Sequence, residues 1–362
     1  MNHPLGALAQ IDTSALVHNL SRVRLIAPNS RVLAVIKADG YGHGLLTVAH
    51  ALCDADGFAV ARLVEAQSLR AAGFTQRIVL LPGVVDAQEL ALVAQLAIDI
   101  TIHHRAQVEL LEQAPRGLRV NVWLKIDSGM HRLGLCPAAV AEIHARLSRC
   151  DVLREPLRVM THLADADDTS KNTTRQQIAT VRECSTALNV ELSIANSAGV
   201  MAWPDAHADW VRPGIMLYGV SPFASDCGSD HELRPAMTLS TRLFAVNDIA
   251  ADAAIGYAGT YTTPEAMAVG AAAVGYADGY PRHVPNGTQV LVDGQRVPIV
   301  GRVSMDTITL DLRAHSTARV GSKVVLWGDG LPVETVARSA GTIGYELLCR
   351  VGSRVPRIVG SL

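Results

Sequence analysis

Eight short apolar runs, separated by segments with helical spacing, are the most informative feature of this sequence. The runs occupy residues 31–37, 57–61, 77–81, 99–102, 119–127, 157–163, 191–196 and 209–212. Amphipathic helical patterns such as DAQELALVAQLA and NTTRQQIATVRECSTALN lie between them, and an opening helix is predicted near 14–27. Strands that alternate with helices form parallel sheets, and eight such units favour closure into a (β/α)8 barrel. The sequence therefore predicts an α/β region built as a TIM-type barrel.

The pattern changes from about residue 236 onward. The segments TLSTRLFAVNDI, QVLVDGQRVPIVGRVSMDTITLDL and SKVVLWGD are rich in β-formers and are punctuated by Asp-Gly and Gly-Asp turns. A chain of 362 residues also exceeds one ordinary domain. We therefore predict a barrel domain over 1–232 and a mainly β-strand, all-β domain over 233–362.

Composition excludes several classes of protein. The formal net charge of −2 indicates no basic patch, so neither nucleic acid nor an anionic membrane surface is expected as a partner. The six cysteines form no CxxC pair, which predicts buried thiols in a reducing cytosol and no disulfide framework or metal site. The opening MNHPLGALAQIDTS has no signal-peptide pattern, and AMAVGAAAVGYADGY is too short to span a bilayer. We expect a cytoplasmic protein.

The barrel prediction gives meaning to the stretch RVLAVIKADGYGHG. Its apolar run ends at Lys37, and active-site residues of such barrels sit at the carboxyl ends of the strands. Polar residues also follow the later strands, in KIDSGMHRLG, THLADAD, IANSAG and VRPGIMLYG. The residues expected to surround one barrel mouth are Lys37, Arg132, His162, Asn196, Ser197, Arg212 and Gly214.

A lysine beside a phosphate cradle favours pyridoxal phosphate as the cofactor. The loops after strands seven and eight commonly bind phosphate in this fold, and Ser197 with the amides near Gly214 and Ile215 suits that role. Burial would lower the pKa of Lys37 and free its amine to form a Schiff base.

Each of these residues also has an ordinary structural interpretation. Lys37 could be a solvated or ion-paired lysine, and His162 a hydrogen-bonded core histidine. Arg132 and Arg212 could form structural ion pairs, and Tyr257 could be a packed aromatic residue. Their expected meeting at one mouth strengthens the catalytic interpretation of all of them together, but position alone does not decide between the two interpretations.

The sequence resembles the alanine racemases, the barrel-type pyridoxal-phosphate enzymes, over essentially its whole length. The stretches that carry the resemblance are AVIKADGYGHG, KIDSGMHRLG, THLADAD, IANSAG, VRPGIMLYG, GYAGTY, VGYADGY, GRVSMD and IGYELLCRVGSRVPR. Nine matches in order across both domains make the resemblance specific.

The resemblance implies a cofactor site in which Lys37 holds pyridoxal 5'-phosphate as an internal aldimine. It implies that Arg212 donates to the pyridine nitrogen, which then stays unprotonated because an arginine does not release its proton. The implied cofactor-binding set is Lys37, Tyr41, Asn196, Ser197, Arg212, Gly214, Ile215 and Tyr345.

The resemblance also implies racemisation of L-alanine and D-alanine by two bases acting on an external aldimine. Lys37 serves one face, and Tyr257, supplied by the partner subunit, serves the other. The assembly would be a head-to-tail homodimer with composite sites. The implied supporting residues are Arg132 and Met305 for the substrate carboxylate, His162 between Arg212 and the second base, Tyr276 and Tyr345 at the entrance, and Lys125 as a lysine that is carbamylated in many members.

Three alternatives stay open. A broad-specificity or serine/lysine racemase would share the fold, although Tyr276 and Tyr345 match tyrosines that narrow the entrance for a small substrate. A non-catalytic pyridoxal-phosphate carrier would not need GYAGTY and GRVSMD. A barrel-type amino-acid decarboxylase should show a cysteine-centred motif in the β domain, and none is found.

Overall fold

The chain opens with a strand and the predicted helix. The computed structural model describes residues 5–360, and residues 1–4 and 361–362 lie outside this range. Residues 1–4 begin the stretch MNHPLGALAQIDTS, in which no signal-peptide pattern was found, so this expectation falls partly outside the described residues. Strand β1 spans Leu8–Ile11 and helix α1 spans Thr13–Ile26. Asp12 begins the helix, because its carboxylate accepts the amides of Ser14 at 2.8 Å and Ala15 at 3.1 Å.

Eight parallel strands close into the predicted barrel. Most of their residues are buried, as expected for strands covered on both faces. The barrel closes where the last strand pairs with the first, with Arg31 opposite Trp210. The strands are β2 (Arg31–Val35), β3 (Gly57–Val60), β4 (Arg77–Leu80), β5 (Asp99–Ile102), β6 (Val122–Lys125), β7 (Arg158–Met160), β8 (Glu191–Ser193) and β9 (Trp210–Val211).

Helices follow the barrel strands, which confirms the alternation predicted from the apolar runs. They are α2 (Lys37–Tyr41), α3 (Leu45–Ala51), α4 (Leu63–Ala71), α5 (Ala87–Gln95), α6 (Arg105–Glu112), α7 (Val140–Ser148), α8 (Thr173–Ser185) and α9 (Ser197–Ala202). The first of these, α2, is a left-handed turn, since Ala38, Asp39 and Gly40 have φ of 54°, 54° and 60°.

The C-terminal region is rich in strands, as predicted. Its strands are β10 (Met237–Ile249), β11 (Ala254–Ile255), β12 (Tyr261–Thr262), β13 (Met267–Ala272), β14 (Gln289–Val292), β15 (Gln295–Pro298), β16 (Ile308–Asp311), β17 (Lys323–Trp327) and β18 (Arg357–Val359), with helices α10 (Val333–Ser339) and α11 (Gly344–Cys349). One sheet has the strand order β15-β14-β17-β10-β1-β18, and β13 pairs with both β10 and β16.

Strand β1 lies in this C-terminal sheet, which the sequence did not predict. It pairs antiparallel with β10, with Leu8 opposite Ser240, and parallel with β18, with Ala9 opposite Arg357. The predicted domain boundary between residues 232 and 233 stays a prediction. Strand β1 belongs to the first predicted domain by its position in the sequence but pairs with strands of the second. Four residues carry too little pattern to reveal partners more than two hundred positions away.

The expectation that the cysteines are buried is wrong. All six are free thiols, but Cys53, Cys136 and Cys349 are exposed and the others are only partly covered. Between residues 5 and 360, no helix combines the length and apolar character needed to cross a membrane.

Candidate active site

A cavity of about 450 Å³ opens at the carboxyl ends of the barrel strands. It brings together most of the residues predicted from the sequence, because each follows a strand that ends at this face. The predicted residues that line it are Lys37, Tyr41, Lys125, Arg132, His162, Asn196, Ser197, Arg212, Gly214, Ile215 and Tyr345. We call this cavity the Lys37 pocket.

The Lys37 pocket is strongly basic. Lys37, Lys125, Arg132 and Arg212 line it, and no aspartate or glutamate does among the residues that the structure describes. Neither lysine forms a salt bridge with any residue in the described range. Such a site suits a ligand that carries more than one negative charge, such as a phosphate together with a carboxylate.

Lys37 stands two residues after the end of β2, at the start of α2, and is half-buried. Burial lowers the pKa of its amine, and the charge of Arg132 lowers it further, while Cys349 and Glu65 act in the opposite direction. The fraction of neutral amine therefore rises relative to a free lysine, which is what nucleophilic attack on a carbonyl requires.

Arg212 lies on the floor of the pocket and is almost completely buried. Its guanidinium donates to the Ser193 carbonyl at 2.7 Å, to the Ser193 hydroxyl at 2.7 Å and to the Thr161 carbonyl. Burial lowers its pKa to about 10, so it is still charged at neutral pH. Its described partners are all neutral, which leaves a net positive charge at this point.

His162 and Lys125 sit beside these cations. Burial, followed by the charge of Arg212, holds the pKa of His162 well below its usual value, so the ring is neutral at pH 7. Burial and then Arg212 also lower the pKa of Lys125 to about 8. His162 and Arg212 interact electrostatically. The role of His162 as a bridge from Arg212 to a second base stays a prediction.

The predicted phosphate cradle has a closely packed geometry. The Ser197 hydroxyl accepts the amides of Gly214 at 2.9 Å and Met216 at 3.3 Å. A Cβ at Gly214 would lie 2.6 Å from the Tyr41 hydroxyl, so only glycine permits this approach. Asn196 begins helix α9, where its side chain accepts the Gly199 amide at 2.9 Å. Hydroxyls and backbone amides thus converge at the end of the pocket where phosphate was predicted.

Two tyrosines complete this end of the pocket. The ring of Tyr41 stacks on Tyr218 at 4.6 Å and tilts against Tyr345 at 6.2 Å. Burial raises the pKa of Tyr41, and its proximity to Tyr345 raises it further, so Tyr41 is a hydrogen-bond donor at neutral pH. Burial likewise raises the pKa of Tyr345.

Three predicted site residues do not line the Lys37 pocket. Tyr257, Tyr276 and Met305 lie in the C-terminal region, where they are 69%, 41% and 53% exposed. Tyr276 and Met305 belong to two loops in contact, because the Ala277 amide donates to the Met305 carbonyl at 3.1 Å. Tyr257 lines a separate surface cleft with Arg302. All three side chains are therefore accessible to another molecule.

Sequence reasoning missed two residues near Lys37. Cys349 lines the pocket and lies one helical turn after Tyr345 in α11, so the spacing of four residues could have indicated it. Glu65 accepts the Ala38 amide at 2.7 Å. Its position three residues into α4 could have indicated an N-terminal cap, but no sequence pattern joins it to Ala38.

Two family models match the chain. The N-terminal domain of alanine racemase matches residues 11–222, and the C-terminal domain of alanine racemase matches residues 236–359. Together they span the barrel and most of the strand-rich region.

Full-length relatives are similar in sequence. The chain is 53% identical over 357 residues to alanine racemase from Nitrosococcus oceani, with 99% of each chain covered. It is 50% identical over 347 residues to alanine racemase from a Shewanella species, with 96% of this chain and 97% of the relative covered.

Solved structures are similar over the whole fold. Biosynthetic alanine racemase from Pseudomonas aeruginosa superposes with a TM-score of 0.96 at 45% identity, covering 99% of this chain and 100% of the other. Alanine racemase from Bartonella henselae with covalently bound pyridoxal phosphate has a TM-score of 0.88 at 29% identity, with the same coverage.

Proposed function

The chain belongs to the alanine racemase family of pyridoxal-phosphate-dependent isomerases, and we propose that it interconverts L-alanine and D-alanine with the residues of the Lys37 pocket. The observation that carries this proposal is the basic lining of the pocket around a half-buried lysine. Four cationic side chains without an acidic one match a phosphorylated cofactor and a substrate carboxylate, each of which is an anion.

The residues present fit pyridoxal phosphate. Tyr41, Tyr345, Ser197 and the amides near Gly214 and Ile215 would hold the phosphate, because hydroxyls and backbone N–H groups converge there. Once joined to the substrate's amino group in place of the lysine, this cofactor would withdraw the electrons that the departing α-proton leaves behind. A solved relative carries it covalently bound, which supports the same role for Lys37 here.

Arg212 would face the pyridine nitrogen from the pocket floor. Its guanidinium is held by backbone carbonyls and keeps its proton, since even the lowered pKa of about 10 lies well above neutral pH. An arginine in this place donates a hydrogen bond without giving up the proton, so the ring nitrogen stays unprotonated. Asn196 would contact the cofactor from the start of α9.

Two bases on opposite faces of the substrate would carry the proton transfer. Lys37 Nζ would take or return the α-proton on one face, and the Tyr257 hydroxyl on the other. Tyr257 is exposed and does not line the Lys37 pocket of its own chain. This placement supports a head-to-tail homodimer in which each chain supplies Tyr257, with Met305 and Tyr276, to the partner's pocket.

Arg132 would bind the substrate carboxylate, with help from the backbone of Met305. Arg132 lines the mouth and is exposed, as a group that meets an incoming ligand should be. Lys125 would orient this arginine after carbamylation of its amine, while His162 would bridge Arg212 towards the second base. Tyr276 and Tyr345 would narrow the entrance in favour of alanine. The free thiols support a cytoplasmic location.

The test of the function is racemase activity of the purified protein supplied with pyridoxal phosphate. L-Alanine, L-serine and L-lysine would be offered separately, and the D-isomers measured by chiral chromatography. We expect D-alanine to form fastest, and Lys37→Ala to abolish its formation. Lys323→Ala, which removes an exposed lysine of β17, is the matched control and should stay active. Equal rates on lysine and alanine would contradict alanine specificity in favour of the broad-specificity alternative.

A further inference from the structure

The segment that carries Lys37 into the pocket has an unusual backbone. From Ala38 to Gly42 every residue has positive φ, with values of 54° at Ala38 and 51° at Tyr41. A left-handed turn costs roughly 1–2 kcal/mol for each residue that carries a Cβ. The turn therefore persists only because surrounding groups hold it, and those groups determine where Lys37 points.

Hydrogen bonds inside the segment close the turn but do not anchor it. The Gly40 amide donates to the Ile36 carbonyl at 3.0 Å, and the Gly42 amide to the Ala38 carbonyl at 3.0 Å. These contacts would move with the segment as a unit. Anchoring requires a partner on another element of the barrel.

Glu65, in the first turn of α4, provides such an anchor at the Lys37 end of the turn, whereas Arg357 holds the far end by donating to the Gly42 carbonyl at 2.7 Å. One of its carboxylate oxygens accepts the Ala38 amide at 2.7 Å. The other oxygen accepts the amides of Ala61 and Arg62, both at 2.9 Å. A single carboxylate thus joins three backbone amides from the ends of two neighbouring barrel strands, and hydrogen bonds to a charged acceptor are the stronger kind.

The bond to Ala38 acts directly on Lys37. The Ala38 amide belongs to the peptide unit that links Lys37 to Ala38, so holding it limits rotation about the Lys37 backbone. We propose that Glu65 is a positioning residue for Lys37, holding that peptide unit so that the lysine amine enters the pocket, and supplying a negative charge among its basic neighbours. This proposal rests on the proposed function of Lys37.

The charges around Lys37 make the second part of the proposal measurable. Arg132, Lys125 and His162 face it from the pocket, and Cys349 faces it from α11. Burial and Arg132 lower the pKa of Lys37, whereas Cys349 and Glu65 raise it. Cys349 contributes only when it is ionised, and partial desolvation of its thiol where it lines the pocket raises the thiol pKa, although the residue as a whole is exposed. Glu65 is therefore the carboxylate in this set.

The matched control is Glu89, which occupies the same position in the next helix. It lies three residues into α5 and accepts the Val85 amide at 3.1 Å, but it does not contact the Lys37 segment. Glu65→Gln and Glu89→Gln thus remove the same charge from equivalent helix starts. Only the first should affect Lys37.

The experiment measures how fast trinitrobenzenesulfonate labels Lys37 as a function of pH. It uses the cofactor-free, full-length protein, with the labelled lysine identified by peptide mapping. In Glu65→Gln we expect the labelling midpoint to shift to lower pH than in the wild type, because loss of the carboxylate disfavours the charged amine. Glu89→Gln should keep the wild-type midpoint. A midpoint that stays or rises in Glu65→Gln would overturn the electrostatic role.

Glu65→Asp separates position from charge. It keeps the carboxylate but shortens the side chain by one methylene, so it cannot span the amides of Ala38 and Arg62 together. We expect the labelling midpoint to stay near the wild-type value, while capture of added pyridoxal phosphate slows by about tenfold. If Glu65→Asp captures pyridoxal phosphate at the wild-type rate, the positioning role of Glu65 is overturned. This variant therefore tests the proposal even if Glu65→Gln does not fold. Labelling needs neither cofactor nor substrate, so a failure of the proposed function would show separately, as absent capture and racemisation in the wild type.

Discussion

At the scale of single residues, the main property of the Lys37 pocket is its cluster of basic side chains, which no acidic lining residue among those described neutralises. Lys125 is buried beside Arg212, Arg132 and Lys37, and no described acidic residue lines the pocket to offset them. Uncompensated buried charge is costly, so a modification that makes Lys125 negative would be favourable.

We predict that Lys125 carries a carbamate. Its pKa of about 8 leaves part of the amine neutral at pH 7, and only the neutral amine adds carbon dioxide. Protein equilibrated with ¹³C-bicarbonate should show a carbamate resonance that weakens as the pH falls, because acid protonates the amine. Lys125→Ala should lose the resonance and Lys323→Ala should keep it. Absence of the resonance in the wild type at saturating bicarbonate would contradict the prediction.

The two proposed bases differ in a way that isotopes can detect. In the family that the sequence resembles, the lysine faces the α-proton of D-alanine and the tyrosine that of L-alanine. Tyr257→Phe should stop racemisation, yet Lys37 should still exchange the proton of D-alanine. In deuterated water we expect deuterium to enter D-alanine faster than L-alanine by ~10²–10⁴-fold, the usual contribution of one base. Tyr261→Phe, four residues away and only partly buried, is the control and should exchange both isomers. Equal exchange in Tyr257→Phe would exclude Tyr257 as a base.

At the scale of elements, the two ends of the barrel strands have different roles. Their carboxyl ends form the Lys37 pocket, whereas their amino ends carry a network of ion pairs. Glu191 of β8 accepts hydrogen bonds from Arg31, from Arg158 at 2.7 Å and from the Trp210 indole at 3.1 Å. The network ties β2, β7, β8 and β9 together at the end of the barrel opposite the pocket.

Glu191 should make the stability of the barrel depend on pH. Partial burial raises its pKa, but hydrogen bonds from Arg31, Trp210 and Arg158 outweigh burial and lower it to about 2. A carboxyl group with a depressed pKa stabilises the fold above its unfolded pKa, and that contribution is lost as the pH falls from about 4.5 towards 2. After discounting for solvent screening, Glu191→Gln should lower the free energy of unfolding at pH 7 by about 1–2 kcal/mol.

Urea denaturation at pH 7 and pH 3 would measure this contribution. The loss caused by Glu191→Gln should be smaller at pH 3, because at that pH Glu191 in the wild type keeps only part of its contribution to the free energy of unfolding. Glu142→Gln breaks an exposed pair with Arg105 and should change stability little at either pH. An equal loss from both substitutions would contradict the special role of the barrel network.

At the scale of the whole molecule, the proposed homodimer distributes each active site over two chains. Mixing inactive Lys37→Ala with inactive Tyr257→Phe should restore about a quarter of the wild-type activity, since ~half of randomly assorted dimers are hybrids with one intact site. Lys37→Ala mixed with Arg132→Ala should restore nothing, because both residues line the pocket of the same barrel. Failure of the first mixture, with hybrid dimers demonstrated, would place both bases in one chain.

The barrel and most of its pocket were predictable because their signals are local. Each apolar run contains a barrel strand, and a parallel barrel must gather the residues after its strands at one face. Lys37, His162 and Arg212 could therefore be placed together from their positions along the chain, and the structure brings them to one cavity. The family resemblance then supplied the roles that position alone does not define.

Long-range packing accounts for what the sequence did not reveal. Leu8–Ile11 joins the C-terminal sheet because its backbone groups find partners in β10 and β18, far along the chain. Glu65 reaches Ala38 only after two strands have aligned side by side in the barrel. The left-handed turn at Ala38 is costly on its own and exists because such contacts outweigh that cost. Local periodicity records which face of an element is apolar, whereas these contacts arise only when distant segments share one fold.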